Sequence, residues 1–131
     1  TPGADMLVGL GMDLTDIGRM ERALQRHGAR FAARILAPAE QEACPELRPA
    51  FVAGRWAAKE AAVKALGTGF AGGVAPSDVS VLSLPSGQPF IRFAGRARER
   101  AEELGVTSVH VSITHDAGFA AAIVLLETGL R

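Results

Sequence analysis

What the sequence lacks narrows the field first. It holds one cysteine, Cys44, so no internal disulfide can form and no CxxC or Cys/His ligand spacing exists. A reducing cytoplasm suits such a chain, with Cys44 as a small hydrophobe. No stretch reaches the roughly 20 consecutive apolar residues that span a bilayer. No basic segment followed by an apolar core opens the chain. Neither sign of charge is in excess, since 14 Lys+Arg balance 14 Asp+Glu. No bulk attraction to nucleic acid or to a membrane surface follows, although local patches can still form. Also missing are a nucleotide P-loop, a GxGxxG turn after a strand, a GxSxG elbow and HExxH. Covalent catalysis by serine or cysteine therefore has no support.

What is present fits one folded domain. At 131 residues, 48% hydrophobic and 21% charged, the chain can build one core of moderate size. The opening TPGAD reads as a loose remnant ahead of Met6, leaving residues 6–131 as the domain. Residues 6–13 read as an apolar strand ending in an acid, with Gly9 and Gly11 where another group approaches closely. Thr15 or Asp16 caps a helix to about Gln25, striped by Ile17, Met20 and Leu24 and ended by Gly28. A short helix over 29–36 and a helical turn opened by Pro38 follow.

The stretch FVAGRWAAKEAAVKALGTG, 51–69, organises the rest. Its composition favours helix from Arg48 or Pro49 to Leu66, stopped by Gly67 and Gly69. After a loop at 70–77, strands are predicted at 78–84 and 90–93 around a turn at 86–89. A charged helix over 94–104 and two long strands, 107–114 and 118–127, close the chain, with the turn at 115–118. Strands and helices do not alternate strictly. The expected class is α+β, a largely antiparallel sheet packed on a long central helix.

Several residues carry chemistry in this pattern. Trp56, Glu60 and Lys64 recur every four residues and share a helix face, beside the stripe of Arg55 and Lys59. Such Glu/Lys pairs are most often solvated decoration. A lone acid among cations is also a plausible holder for a divalent metal that meets phosphate. Asp13, after an apolar strand, is costly unless paired or metal-bound; alternatively it is an acid favoured at a helix N-terminus. Together Asp13 and Glu60 can give two hard oxygens to one Mg²⁺, whose remaining positions suit water and a diphosphate. His115 shares the parity of Val109, Val111 and Ile113 at a strand end, as a rim histidine or as a phosphate donor or proton carrier. Asp116 adds an acid beside it. Arg19, Arg22, Arg26 and Arg30 make a basic ridge, either a solvated face or a dock for an acidic partner.

Three stretches, in this order and spacing, resemble the holo-acyl-carrier-protein synthase family, the small single-domain 4′-phosphopantetheinyl transferases. They are VGLGMDLTDIGRM at 8–20, FVAGRWAAKEAAVKALGTG at 51–69 and VSITHDAGFAAAIVLLE at 111–127. The resemblance implies transfer of phosphopantetheine from coenzyme A to a serine of an apo acyl carrier protein, releasing adenosine 3′,5′-bisphosphate. It implies Mg²⁺ on Asp13 and Glu60, and coenzyme A phosphates against Arg55, Lys59 and Lys64. Lys64 would counter charge on the leaving phosphate. Gly67 and Gly69 would let the backbone approach the ligand, and His115 falls on the histidine of the last motif. A turn near the nucleotide is implied at Gly87-Gln88-Pro89, where Gln88 replaces the family's lysine. Trp56 stands where the family usually has Phe. Asp116 stands at a variable position and is read as orienting water or the metal near His115.

The family resemblance further implies a homotrimer with active sites between subunits, and docking of the carrier's acidic helix on Arg19, Arg22, Arg26 and Arg30. The serine proton would pass to a water held by the metal or a carboxylate, or to Glu60 itself. Two other classes remain in view. One is a non-catalytic module binding the carrier or coenzyme A, against which intact Asp13, Glu60 and Lys64 argue. The other is a Mg²⁺-dependent coenzyme A diphosphate hydrolase, for which no extra acidic cluster is visible.

Overall fold

A computed structural model describes residues 6–129; the expected remnant at the start lies outside them. Among the described residues the strands are β1 (Met6–Asp16), β2 (Val79–Ser83), β3 (Pro89–Phe93), β4 (Ser108–Asp116) and β5 (Phe119–Thr128). The helices are α1 (Ile17–Ile35), α2 (Pro38–Ala43), α3 (Pro49–Leu66) and α4 (Gly95–Glu103). Every ladder is antiparallel, as an α+β class requires. The strands divide into two sheets, however: β1-β5-β4 and the hairpin β2-β3.

Helix α3 is apolar on nearly every side, so it is buried rather than amphipathic. Its alanines and Leu66 meet Ala122, Val124 and Leu126 of β5, Val79 and Val81 of β2, and Ala97 and Ala101 of α4. Pro49 opens it, where a missing N–H costs nothing. Gly67 closes it in the left-handed conformation, φ 78°, its N–H reaching the Lys64 carbonyl at 3.0 Å. A second cluster joins Met20, Ala32, Ile35 and Leu36 to Val52, Ala53 and Ala120, fastening α1 to the start of α3.

Helix α1 is broken at Gly28, whose φ of 57° and ψ of −139° belong to a region only glycine readily takes. That is the boundary read from the sequence between two helices. Asp16 is the N-cap, accepting the Arg19 N–H at 3.0 Å.

Strand β1 runs three residues beyond Asp13, because Leu14, Thr15 and Asp16 continue the ladder with Ala121, Ala120 and Phe119. The acid thus sits within the strand and not after it. Likewise β4 extends to Asp116, while β5 begins at Phe119, one residue later than expected, leaving only Ala117 (φ 52°) and Gly118 (φ 82°) for the turn. A two-residue turn with both φ positive matches the strand twist. His115 and Asp116, expected in the turn, belong to the ladder, opposite Ala120 and Phe119.

The apolar residues of β1 do not make a strand buried on both sides. Gly9, Gly11, Asp13 and Thr15 face α3, while Leu10, Met12 and Leu14 face outward, 55%, 63% and 63% exposed. Their partners on β5, Leu125, Ile123 and Ala121, extend the same outer face.

Candidate functional site

The site is built by an unusual strand. The face of β1 toward α3 carries glycines where larger side chains normally pack. A Cβ on Gly11 would lie 1.9 Å from the Ala61 carbonyl oxygen, and one on Gly9 2.3 Å from that of Ala65. Strand and helix backbones therefore meet directly, a close approach only glycine permits. Glu60 and Lys64 flank these two alanines along the helix. The contact carries them to Asp13, two residues beyond Gly11 on the same strand face.

Lys64 donates to Asp13 Oδ1 at 3.2 Å and to the Met12 carbonyl at 3.0 Å. Thr15 donates its hydroxyl to Asp13 Oδ2 at 3.1 Å, so both carboxylate oxygens are held. Glu60 is half-buried. Its pKa is pushed up, first by loss of water, then by the negative charge of Asp13, with Lys64 opposing. A carboxylate whose ionisation is opposed by burial and by a neighbouring carboxylate creates a demand for positive charge. Asp13 and Glu60 line one open cavity of about 420 Å³, with Leu14, Thr15, Asp16, Arg19, Met20, Phe31 and Trp56 on its walls. Among the described residues no three His, Cys, Asp or Glu side chains converge. A pair of hard oxygens beside an open cavity fits a cation that keeps water and substrate oxygens on its other positions, as magnesium does.

The other expected residues take separate places. Lys59 departs most from expectation: its side chain is fully buried. Its ammonium donates to Glu40 Oε1 at 2.7 Å, to the Pro76 carbonyl at 2.9 Å and to the Val79 carbonyl. All three donors are used inside the protein, so the assignment of Lys59 to a coenzyme phosphate does not hold. Burial lowers its pKa while Glu40 counters. Glu40 also accepts the N–H groups of Ala37 at 2.8 Å and Val81 at 3.0 Å. The knot ties α2, β2 and α3 together.

Arg55 stays near the surface on that side. Its guanidinium lies 4.4 Å from the Phe51 ring centroid and gives Nη2–H to Ser83 Oγ at 2.9 Å. Its buried Nε has no protein partner among the described residues. Ser83 ends β2, and the turn with Gly87 (φ 93°) leads to Pro89 at the start of β3. Gly67 and Gly69, both with positive φ, follow α3.

His115 and Asp13 do not meet within one chain. The register places His115 opposite Ala120, which lies opposite Thr15, so β5 separates them; two strand spacings amount to roughly 10 Å. His115 instead puts Nε2 3.1 Å from the Ala50 carbonyl, at the start of α3. Asp116 is exposed beside the turn and joins neither Asp13 nor Glu60 in a metal-sized group, so the role given to it is not supported. Arg19, Arg22, Arg26 and Arg30 are all exposed along α1, and Arg19 also lines the carboxylate cavity.

Sequence reasoning missed Glu40 as the buried partner of Lys59, and Thr15 as the support of Asp13. Thr15 was legible in principle, since it shares strand parity with Gly9, Gly11 and Asp13. Glu40 was not, because nothing in a six-residue helix signals a contact 19 residues away.

A family model described as the 4′-phosphopantetheinyl transferase superfamily matches residues 9–124. A holo-[acyl-carrier-protein] synthase from Desulfovibrio desulfuricans is 50% identical over 93% of this chain and 98% of its own. That of Solidesulfovibrio magneticus is 53% identical over 93% and 99%. Among solved structures, the Helicobacter pylori holo-[acyl-carrier-protein] synthase in complex with coenzyme A is 32% identical. It aligns at TM-score 0.80 over 89% of this chain and 98% of its own. A Bacillus anthracis holo-(acyl-carrier-protein) synthase in complex with CoA (3′,5′-ADP) is 35% identical at TM-score 0.78, covering 94% and 98%. With its motifs in register and its fold shared along almost the whole length, the chain belongs to the 4′-phosphopantetheinyl transferase superfamily, in the holo-acyl-carrier-protein synthase family.

Proposed function

We propose that the protein transfers 4′-phosphopantetheine from coenzyme A to a serine hydroxyl of an apo acyl carrier protein, with Mg²⁺, releasing adenosine 3′,5′-bisphosphate. The observation that carries this reading is the convergence of Asp13 and Glu60 on one open cavity, with Lys64 bonded to Asp13. The serine oxygen forms a bond to the pantetheine-side phosphorus of the diphosphate, and the bond from that phosphorus to the adenosine-side phosphate oxygen breaks. Such a displacement needs alignment and charge neutralisation more than covalent help.

Mg²⁺ held by Asp13 and Glu60 would offset the charge of the diphosphate when bound. Lys64 is an exposed cation beside Asp13, placed to meet charge on the leaving phosphate. Thr15 keeps the Asp13 carboxylate oriented. A cavity carboxylate, directly or through one water, takes the serine proton. Arg55 has an unpartnered Nε–H and lies by the β2–β3 turn. With Gly67, Gly69, Gly87, Pro89 and His115 it belongs, on this reading, to the coenzyme A side of the site.

The exposed apolar stripe of Leu10, Met12 and Leu14 supports self-association, since contiguous apolar surface of this kind marks an interface. A homotrimer, with His115 of one subunit brought toward the carboxylates of another, would complete the site. The ridge of Arg19, Arg22, Arg26 and Arg30 would steer an acidic carrier, and Arg19 leads from it into the cavity.

The test mixes the protein with coenzyme A, Mg²⁺ and apo carrier protein and weighs the carrier by mass spectrometry. A phosphopantetheine-sized gain that needs Mg²⁺ and is lost in Glu60→Gln supports the proposal. Free phosphopantetheine with unmodified carrier, or a gain indifferent to Glu60→Gln, overturns it.

A further inference from the structure

Helix α3 has one glycine in its interior, Gly54. Its φ is not positive, so the backbone does not demand glycine, and a glycine there weakens the helix relative to alanine. Alanine is well accepted close by, at Ala53, Ala57 and Ala58. The reason for the bare position lies across from it. A Cβ on Gly54 would sit 3.1 Å from His115 Nε2 and 3.3 Å from Ile113 Cγ2, tighter than side-chain contacts normally are. A methyl there would press on the imidazole and displace it by a few tenths of an ångström. One turn earlier, the Ala50 carbonyl lies 3.1 Å from the same Nε2. A carbonyl oxygen only accepts, so Nε2 must carry hydrogen, and Nδ1 is the nitrogen that gains or loses a proton.

We propose that Gly54 is a positioning residue: its missing side chain seats His115 on α3 with Nε2–H tied to Ala50, so that in the imidazolium form Nδ1–H is the free donor for a coenzyme A phosphate. The inference rests on the transferase reading for its ligand, but the geometry of the ring does not. Glycine here gives up helix stability for a histidine ring held in one orientation.

Long-range ¹H–¹⁵N NMR on the full-length ¹⁵N-labelled protein reads the tautomer, with His115 assigned by comparison with His115→Gln. The wild type is expected to show the Nε2–H form. Gly54→Ala is expected to keep or raise Tm, shift the His115 ring signals, and raise the KM for coenzyme A about tenfold with a smaller change in kcat. That is the size of one lost hydrogen bond to a charged group. In a His115→Ala background the same substitution is expected to leave KM unchanged. An Nδ1–H tautomer in the wild type overturns the proposal, even if Gly54→Ala fails to fold. So does a Gly54→Ala protein with an unaltered His115 spectrum, or a KM effect that persists without His115. Failure of the transferase reading would appear separately, as wild-type protein that never modifies a carrier, and would leave the tautomer measurement intact.

Discussion

Replacing Lys59 by methionine separates two readings of the most conspicuous basic residue in the helix. If Lys59 is the internal tie that the structure shows, Lys59→Met keeps the stem and the packing volume and deletes one charge. The Glu40 carboxylate then stays fully buried with only the Ala37 and Val81 N–H groups as partners. The Pro76 and Val79 carbonyls each lose a donor as well. Breaking a buried pair from one side costs about 3–5 kcal/mol, a large part of the roughly 5–15 kcal/mol that holds a domain together. For a chain of this size the melting temperature is expected to fall by about 10–20 °C.

Urea unfolding and thermal melts of the single variants and of Glu40→Leu/Lys59→Met give the coupling between the two positions. The double variant is expected to be more stable than Lys59→Met alone, since no buried charge is left uncompensated. At a temperature where Lys59→Met is folded, its KM for coenzyme A should equal that of the wild type. A Lys59→Met protein with unchanged melting temperature but weakened coenzyme A binding would refute this reasoning and return Lys59 to the substrate.

Other expectations follow from the same geometry. Gly11→Ala must push α3 off β1, since its Cβ would lie 1.9 Å from the Ala61 carbonyl oxygen. It should cost about 1–3 kcal/mol in urea unfolding and reduce transfer further than that loss explains; full activity would contradict the close-contact origin of the carboxylate pair. The raised Glu60 pKa fixes a sign. Between the ordinary carboxylate value of 4.5 and its folded value, the native protein holds a proton that the unfolded chain has lost. Its contribution to stability is therefore present at low pH and lost as pH rises through the folded value. Mg²⁺ needs the ionised form, so the melting-temperature gain on adding Mg²⁺ should grow over the same window and vanish in Glu60→Gln; a gain that shrinks with rising pH would refute the assignment. Met12→Glu places a charge in the centre of the outer apolar stripe. Sedimentation should show a smaller assembly than the wild type; an unchanged assembly would exclude this face as the interface.

Local sequence carried much of the architecture. The Ala-rich run between Pro49 and Gly67 fixed α3, because proline at the first turn and a left-handed glycine at the end act within a few residues. Gly28 marked the break in α1 for the same reason. The three motifs, in register, imply that Asp13, Glu60 and Lys64 share one site, and the fold brings them together. Strand ends were less legible, since whether His115 and Asp116 are turn or ladder depends on which residues of β5 they pair with.

Tertiary structure alone decided the fate of the charges. Arg55 and Lys59 stand four residues apart on one stripe of α3, yet one reaches the surface and the other is sealed under β2 and α2. Helical period tells which residues share a face but not what covers it. Burial, and with it whether a cation meets substrate or a buried glutamate, is set by segments distant in the chain. The amino-acid order by itself determined the elements, the family and the candidate carboxylates. Packing determined which way β1 turned its glycines, how closely α3 could approach, and which lysine stayed at the surface beside Asp13.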